Sequence, residues 1–137
     1  PLTKPPYRRI TAIDLNTGEH VWQTAFGKGP ANHPLLEHLN LPDLGSVFTD
    51  VSAEGGILIT EGLVISHLPQ KDEVNEDADG SILVAYDKLT GDKVGEVTVD
   101  RRLHGPVMSY LSGGKQYIAI AGGRFDTAEM ISFALPD

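Results

Sequence analysis

AIDLNTGEHVW, residues 12–22, sets Asp14, Gly18 and Trp22 at even intervals of four inside an apolar, turn-forming segment. The spacing reads as a β-hairpin. Ala12 lies on one strand and Trp22 on the next, and Gly18 closes the turn between them, where the chain needs a left-handed conformation. Asp14, at the end of the first strand, is placed to accept hydrogen bonds from backbone N–H groups of that turn, so its role is structural rather than catalytic. Trp22 carries a ring whose burial contributes roughly 1.5–3 kcal/mol, and a neighbouring sheet is its natural partner.

The motif recurs. Ala12, Asp14 and Gly18 reappear as Ala85, Asp87 and Gly91, an offset of 73 residues (12 to 85), and DLNTGEHV is echoed by DKLTGDKV. Around the two copies, helical periodicity is missing and short runs rich in Val, Ile, Tyr, Phe and Thr take its place: RRITAIDL, EHVWQTAF, SVFTDVSA, GILITEGLVISHL, SILVAYDK, KVGEVTVD, GPVMSYL, KQYIAIAG and EMISFALP. Such runs bounded by Gly, Pro, Asn or Asp are strands. SVFTDVSA also reads as a surface loop. NTG, LTG and SGGK supply the hairpin turns, while GKGPANHPLLEHLNLPDLG and PQKDEVNEDADG are surface connections. Repeated antiparallel hairpins at this interval point to an all-β partial β-propeller of about two blades, built from antiparallel four-stranded sheets. The expected order is the last two strands of one blade, a complete blade, then three strands of another. A single domain over 1–137 follows, with blade repeats around 8–27, 46–99 and 106–135.

Composition narrows the function classes. A chain of 137 residues that is 40% hydrophobic and 22% charged fits one globular unit or a piece of a larger one. Its formal charge of −8 gives no general electrostatic footing for nucleic acid or an anionic membrane surface. With no cysteine there are no disulfides or thiolate metal sites, and the compartment stays open. The longest apolar run, GILITEGLVISHL, is broken by Glu61 and falls short of the ~20 residues of a membrane-spanning helix. The chain starts at Pro1, and PLTKPPYRR has no apolar signal core, which reads as a processed, cut or engineered N-terminus and points to a fragment.

Other candidate chemistry is thin. Asn75, Asp77, Asp79 and Gly80 imitate the start of a calcium loop, but Tyr86 stands where the bidentate glutamate belongs, so solvated acids ahead of a turn are the plainer reading. His20, His33, His38, His67 and His104 lack the spacing of an imidazole metal site. No nucleophile elbow is present, and SGGKQY lacks the first glycine of a phosphate loop. Arg124 in AGGRF is either a cavity residue or, by default, a solvated arginine. No catalytic and no metal-ligating residue is assigned.

The motif Ala-x-Asp-x-x-x-Gly-x-x-x-Trp, met by Ala12, Asp14, Gly18 and Trp22, resembles the tryptophan-docking motif of quinoprotein dehydrogenases. These enzymes carry pyrroloquinoline quinone (PQQ) in an eight-bladed propeller. KPPYRRITAIDLNTGEHVWQ, GPVMSYLSGGKQYIAIAGG and ISFALPD fall in the order found at the C-terminal end of the membrane-associated glucose dehydrogenase branch, so the resemblance covers nearly the whole chain. It implies that Leu44 and Gly45 match a cofactor-contact segment, whereas Ser46 and Val47 depart from it. Gly95 replaces the tryptophan of the second motif copy, and KDEVNEDADG is longer than the family's usual connection.

What the resemblance implies is a C-terminal fragment of a sugar or alcohol dehydrogenase, periplasmic or secreted, whose full-length parent holds PQQ with calcium. The catalytic aspartate and the calcium ligands would lie upstream, so the fragment alone is expected to be inactive and to bind no quinone tightly. Its partners are then the remainder of the propeller or further copies of itself, with no nucleic acid, and with membrane contact only through upstream segments. The alternative is a stand-alone, oligomeric, non-catalytic β-propeller-like binding module.

Overall fold

The structure, a computed structural model, describes residues 4–46, 56–70, 79–123 and 126–134. Nine strands and two short 3-10 turns make up the regular structure of these residues. The strands form three antiparallel sheets of two, four and three strands, each in chain order. This is the strand distribution expected from the sequence. The backbone clusters into two compact units: one holds the first 46 residues with the turn Leu89–Asp92, the other holds residues 56–70, 79–88 and 93 onward.

In the first unit, β1 (Arg9–Ile13) pairs with β2 (His20–Ala25), and Ala12 faces Trp22 across the pair. The Asn16 N–H donates to Asp14 Oδ1 at 2.7 Å, the turn contact anticipated for this aspartate. Trp22 is half-buried rather than enclosed. Its ring lies on Gly91, where a methyl group would come within 2.5 Å of Trp22 Cε3, and the φ of +78° already favours glycine. Both polar loops of the sequence were read as plain connections. The first, however, folds two 3-10 turns, Gly29–Asn32 and Glu37–Leu39.

In the second unit, β3 (Leu58–Ile59), β4 (Leu63–Pro69), β5 (Ser81–Asp87) and β6 (Lys93–Val99) form one sheet. β7 (Leu103–Ser112), β8 (Lys115–Gly122) and β9 (Glu129–Ala134) form the other. The run GILITEGLVISHL divides at Thr60–Gly62 into β3 and β4, where the Thr60 Oγ1 accepts the Leu63 N–H at 3.0 Å. β4 and β5 are the middle strands and read LVISHLP and SILVAYD, nearly continuous apolar sequence, as strands covered on both faces require. β6, reading KVGEVTV, is exposed until Val99. Ile65, Leu83, Val99, Leu103, Val107 and Ile120 interlock between the two sheets, flanked by Ile118, Ile131 and Phe133. Polar ties accompany this apolar core. The buried Leu103 N–H donates to Ser81 Oγ at 2.9 Å, and the Nε2 of fully buried His67 meets the Gly105 carbonyl at 3.0 Å.

The two motif copies agree below the level of sequence. Ala12 pairs with Trp22 and Ala85 with Gly95; each ladder then slips by one residue at the next position, Ile13 and Tyr86. In the turns, the Glu19 N–H donates to Thr17 Oγ1 and the Asp92 N–H to Thr90 Oγ1, both at 3.2 Å. The repeat at 73 residues is therefore one hairpin built twice, including its bulge. SVFTDVSA, apart from Ser46, lies outside the described residues.

Candidate functional site

Leu44 and Gly45 sit in the first unit, where the return of the long loop is stitched to the strand end after β2. The Leu44 N–H donates to the Lys28 carbonyl at 3.0 Å, the Gly45 N–H to Gly27 and the Ser46 N–H to Phe26, each at 2.9 Å. From the other side, the Tyr7 N–H donates to the Leu44 carbonyl at 2.8 Å, and the Phe26 N–H to the Arg8 carbonyl at 2.9 Å. Three backbone segments, Tyr7–Arg8, Phe26–Lys28 and Leu44–Ser46, thus close on one another.

Glycine is what lets them approach. Gly45 is buried with φ +76°, and a Cβ there would collide with the backbone of Arg8; one on Gly29 would collide with the Gly45 carbonyl. Beside the clamp, the Arg8 guanidinium carbon lies 5.5 Å from the centre of the buried Phe26 ring, within cation–π range. Leu44 and Ser46 are half-buried. The sequence singled out Leu44 and Gly45 but gave no sign of Tyr7, Arg8 or Phe26 as their neighbours. Gly27 and Gly29, flanking a lysine in GKG, were the only local hint that another backbone comes close.

The chemical capacity of this clamp is limited by its own bonding. The N–H groups of Leu44, Gly45 and Ser46 are engaged by carbonyls, so these amides offer no donor row to an anionic ligand. What remains is a fixed surface: the Leu44 side chain, the Ser46 side chain and the Arg8–Phe26 pair.

The other candidates separate. Ala12, Asp14, Gly18 and Trp22 come together in the first hairpin, and Gly91 joins them beneath the indole. Ala85 and Asp87 lie on β5, with Ala85 packed against the core of the second unit. Asp79 faces Arg102 at 3.7 Å, whereas Asn75, Asp77, Val47 and Arg124 lie outside the described residues. His104 Nε2 meets the Gly123 carbonyl at 2.8 Å, and the His33 Nδ1 accepts the Leu35 N–H at 3.2 Å, both local structural roles. Among the described residues no three His, Asp or Glu side chains converge as a metal site. No helix among them is long and apolar enough to cross a membrane.

Comparison with known proteins gives these features a context. Residues 1–118 match the PQQ family described as "Glucose/ethanol/alcohol dehydrogenase, beta-propeller domain". The chain is 31% identical to the glycerol dehydrogenase large subunit of Gluconobacter oxydans (strain 621H) and 32% identical to that of Gluconobacter thailandicus, in each case over 98% of this chain and 17% of the relative. It is 29% identical to quinoprotein glucose dehydrogenase A of Acinetobacter calcoaceticus, over 100% of this chain and 16% of that protein. The chain therefore spans about a sixth of the length of these bacterial relatives. No solved structure matches it significantly.

Proposed function

The chain belongs to the glucose/ethanol/alcohol dehydrogenase β-propeller family, and on that premise we propose that it forms the C-terminal part of a quinoprotein dehydrogenase that oxidises sugars or alcohols. The observation that carries this reading is the family match over residues 1–118, joined to a two-four-three series of antiparallel sheets in chain order. Trp22 over Gly91 serves in it as the tryptophan dock between successive repeats, with Ala12, Asp14 and Gly18 shaping one hairpin and Ala85, Asp87 and Gly91 the next. A periplasmic or secreted setting follows from the resemblance of the motif order to the membrane-associated glucose dehydrogenase branch.

The full-length parent uses PQQ with calcium. The quinone, when bound, supplies the hydride acceptor. The residues of this chain fit that group in part only: Leu44 and Gly45 provide a wall, held rigid by the clamp, and no donors, because their amides are already spent. The base and the calcium ligands belong to other parts of the parent, so this chain alone binds no quinone tightly and is inactive.

Two measurements test this. The parent protein, loaded with PQQ and calcium, is assayed for dye-linked oxidation of glucose, glycerol and ethanol; inactivity on all such polyols and alcohols refutes the dehydrogenase reading. The present chain is titrated with PQQ and calcium in a calorimeter. A saturable site of nanomolar Kd refutes the claim that the chain contributes only a wall. A second reading, an oligomeric non-catalytic β module, draws on the exposed Met108, Tyr110 and Met130 on one face of the last sheet, a surface suited to further copies or to the rest of a propeller. Light scattering decides it: a stable monomer at micromolar concentration excludes self-association.

A further inference from the structure

β7 is interrupted near its start. Between His104 and Met108 its register with β8 shifts, and Gly105, Pro106 and Val107 have no partner across that ladder. A bulge of this kind turns backbone groups out of the sheet. Here the Gly105 carbonyl meets the Nε2 of His67, on β4, at 3.0 Å. Pro106 sits against Gly56, where a methyl group would come within 2.9 Å of the Pro106 Cβ, and Val107 enters the apolar core. The bulge is therefore the part of the last sheet that seats on the sheet before it.

His67 is the one buried histidine among the described residues, 1% exposed. It shares a face of β4 with Ile65 and stands opposite Leu83, both members of the apolar core. A carbonyl only accepts, so Nε2 carries the proton of the contact with Gly105, and a further proton can enter the ring only at Nδ1. That proton would make the ring a cation in an apolar seam, where charge is far costlier than in water. The strands packed on β4 are β3, β5 and β7. β3 carries no charged side chain. On β5, Tyr86 lies on the opposite face, and Asp87 shares the face of Leu83 but stands about 13 Å further along the strand. On β7, His104 Nε2 is bonded to the Gly123 carbonyl, and Tyr110 lies on the outward face. Asp79 and Arg102, which lead into β5 and β7, face each other at 3.7 Å.

We propose that His67 is an acid-sensitive pin between the two sheets of the second unit: neutral, it ties β4 to the bulge of β7, and protonated, it draws water into that contact and releases β7 from β4. Above pH ~6.5 the ring is neutral in the closed and the opened chain alike, and the tie is whole. Below it, the opened chain takes up a proton that the closed seam does not, so the closed form is lost as pH falls. Each pH unit then shifts the equilibrium toward opening by up to about tenfold.

The full chain is unfolded in urea between pH 7.5 and 5.5 beside His67→Gln, which can offer the Gly105 carbonyl an N–H but takes no proton. The difference between the two isolates this histidine from the other four. Over that range the unfolding constant of the parent chain should rise about tenfold more than that of the variant. In the parent chain alone, imidazole NMR at pH 5.5 should find the His67 ring of the closed form neutral, with its proton on Nε2. The Leu103 amide, bonded to Ser81 across the same contact, should lose about tenfold of its protection from hydrogen exchange between pH 7.5 and 5.5. Equal pH dependence of parent and variant overturns the proposal. A His67 ring that becomes charged near pH 6.5 while the Leu103 amide stays protected overturns it whether or not the variant folds.

Discussion

Removing the indole of Trp22 should destabilise the chain by about 2–3 kcal/mol, a figure that follows from how the ring sits. An enclosed tryptophan buries roughly 150–250 Å². Trp22 is half-buried, so roughly 100–150 Å² leaves water, contributing about 2.5–4 kcal/mol at ~25 cal/mol per Å². Alanine keeps the Cβ, and the site is open on one side, so no closed cavity adds to the loss. Because Trp22 is the sole tryptophan, its own fluorescence reports the contact in the parent chain, while Trp22→Ala is followed by circular dichroism during urea unfolding. The reciprocal change is Gly91→Ala. Its methyl would stand 2.5 Å from Cε3 and 2.7 Å from Cδ2 of the ring, at a backbone φ of +78°. The backbone part costs about 1–2 kcal/mol, and displacing the ring adds to it. In the Trp22→Ala background only the backbone part remains, so a double-mutant cycle should give a coupling of about 1 kcal/mol. A Trp22→Ala loss below ~0.5 kcal/mol, or strictly additive effects, would refute the claim that ring and glycine form one contact.

Two further outcomes are expected. Gly45→Ala should lower stability by about 2–4 kcal/mol, because it combines an unfavourable φ of +76° with a collision against the Arg8 backbone, whereas Leu44→Ala should cost no more than about 1–2 kcal/mol; thermal melts that rank the two in the opposite order contradict the clamp. Ser81→Ala leaves the buried Leu103 N–H without its acceptor and should cost about 1–3 kcal/mol in urea unfolding, while Ser81→Thr keeps the hydroxyl and should recover part of it.

The strands were legible because β-branched and aromatic residues cluster between glycine-bearing turns, a pattern set by local stereochemistry. The hairpin repeat was legible for the same reason: Asp14 and Gly18 must stand where the turn bends, and so must Asp87 and Gly91. What the sequence hid is long-range backbone bonding. Nothing in LPDLGS announces that its amides will bond to Phe26, Gly27 and Lys28, since main-chain donors carry no side-chain signature and only the buried glycines betray the approach. The 3-10 turns at Gly29–Asn32 and Glu37–Leu39 escaped because four- and three-residue elements are too short for hydrophobic periodicity to register. Trp22 rests on Gly91, a contact that the spacing of the first hairpin alone could not place, because the glycine comes from the second copy of the motif.

The order of strands within each sheet has a kinetic meaning. Among the described residues every ladder joins neighbours along the chain, β1 with β2, β3 through β6 in succession, β7 through β9. Hairpins with tight turns, such as β1–β2, β5–β6 and β7–β8, close on the microsecond scale and spend little chain entropy before pairing, whereas β4 and β5 must first close the connection between Pro69 and Ser81. The late step is the meeting of the two sheets, since the Leu103 N–H finds Ser81 only after the hairpin of β5 and β6 lies between them in sequence. Substitutions in the turns should therefore slow folding, and substitutions such as Ser81→Ala should chiefly speed unfolding. A chain emerging from the ribosome would complete one sheet at a time, each ready to receive the next.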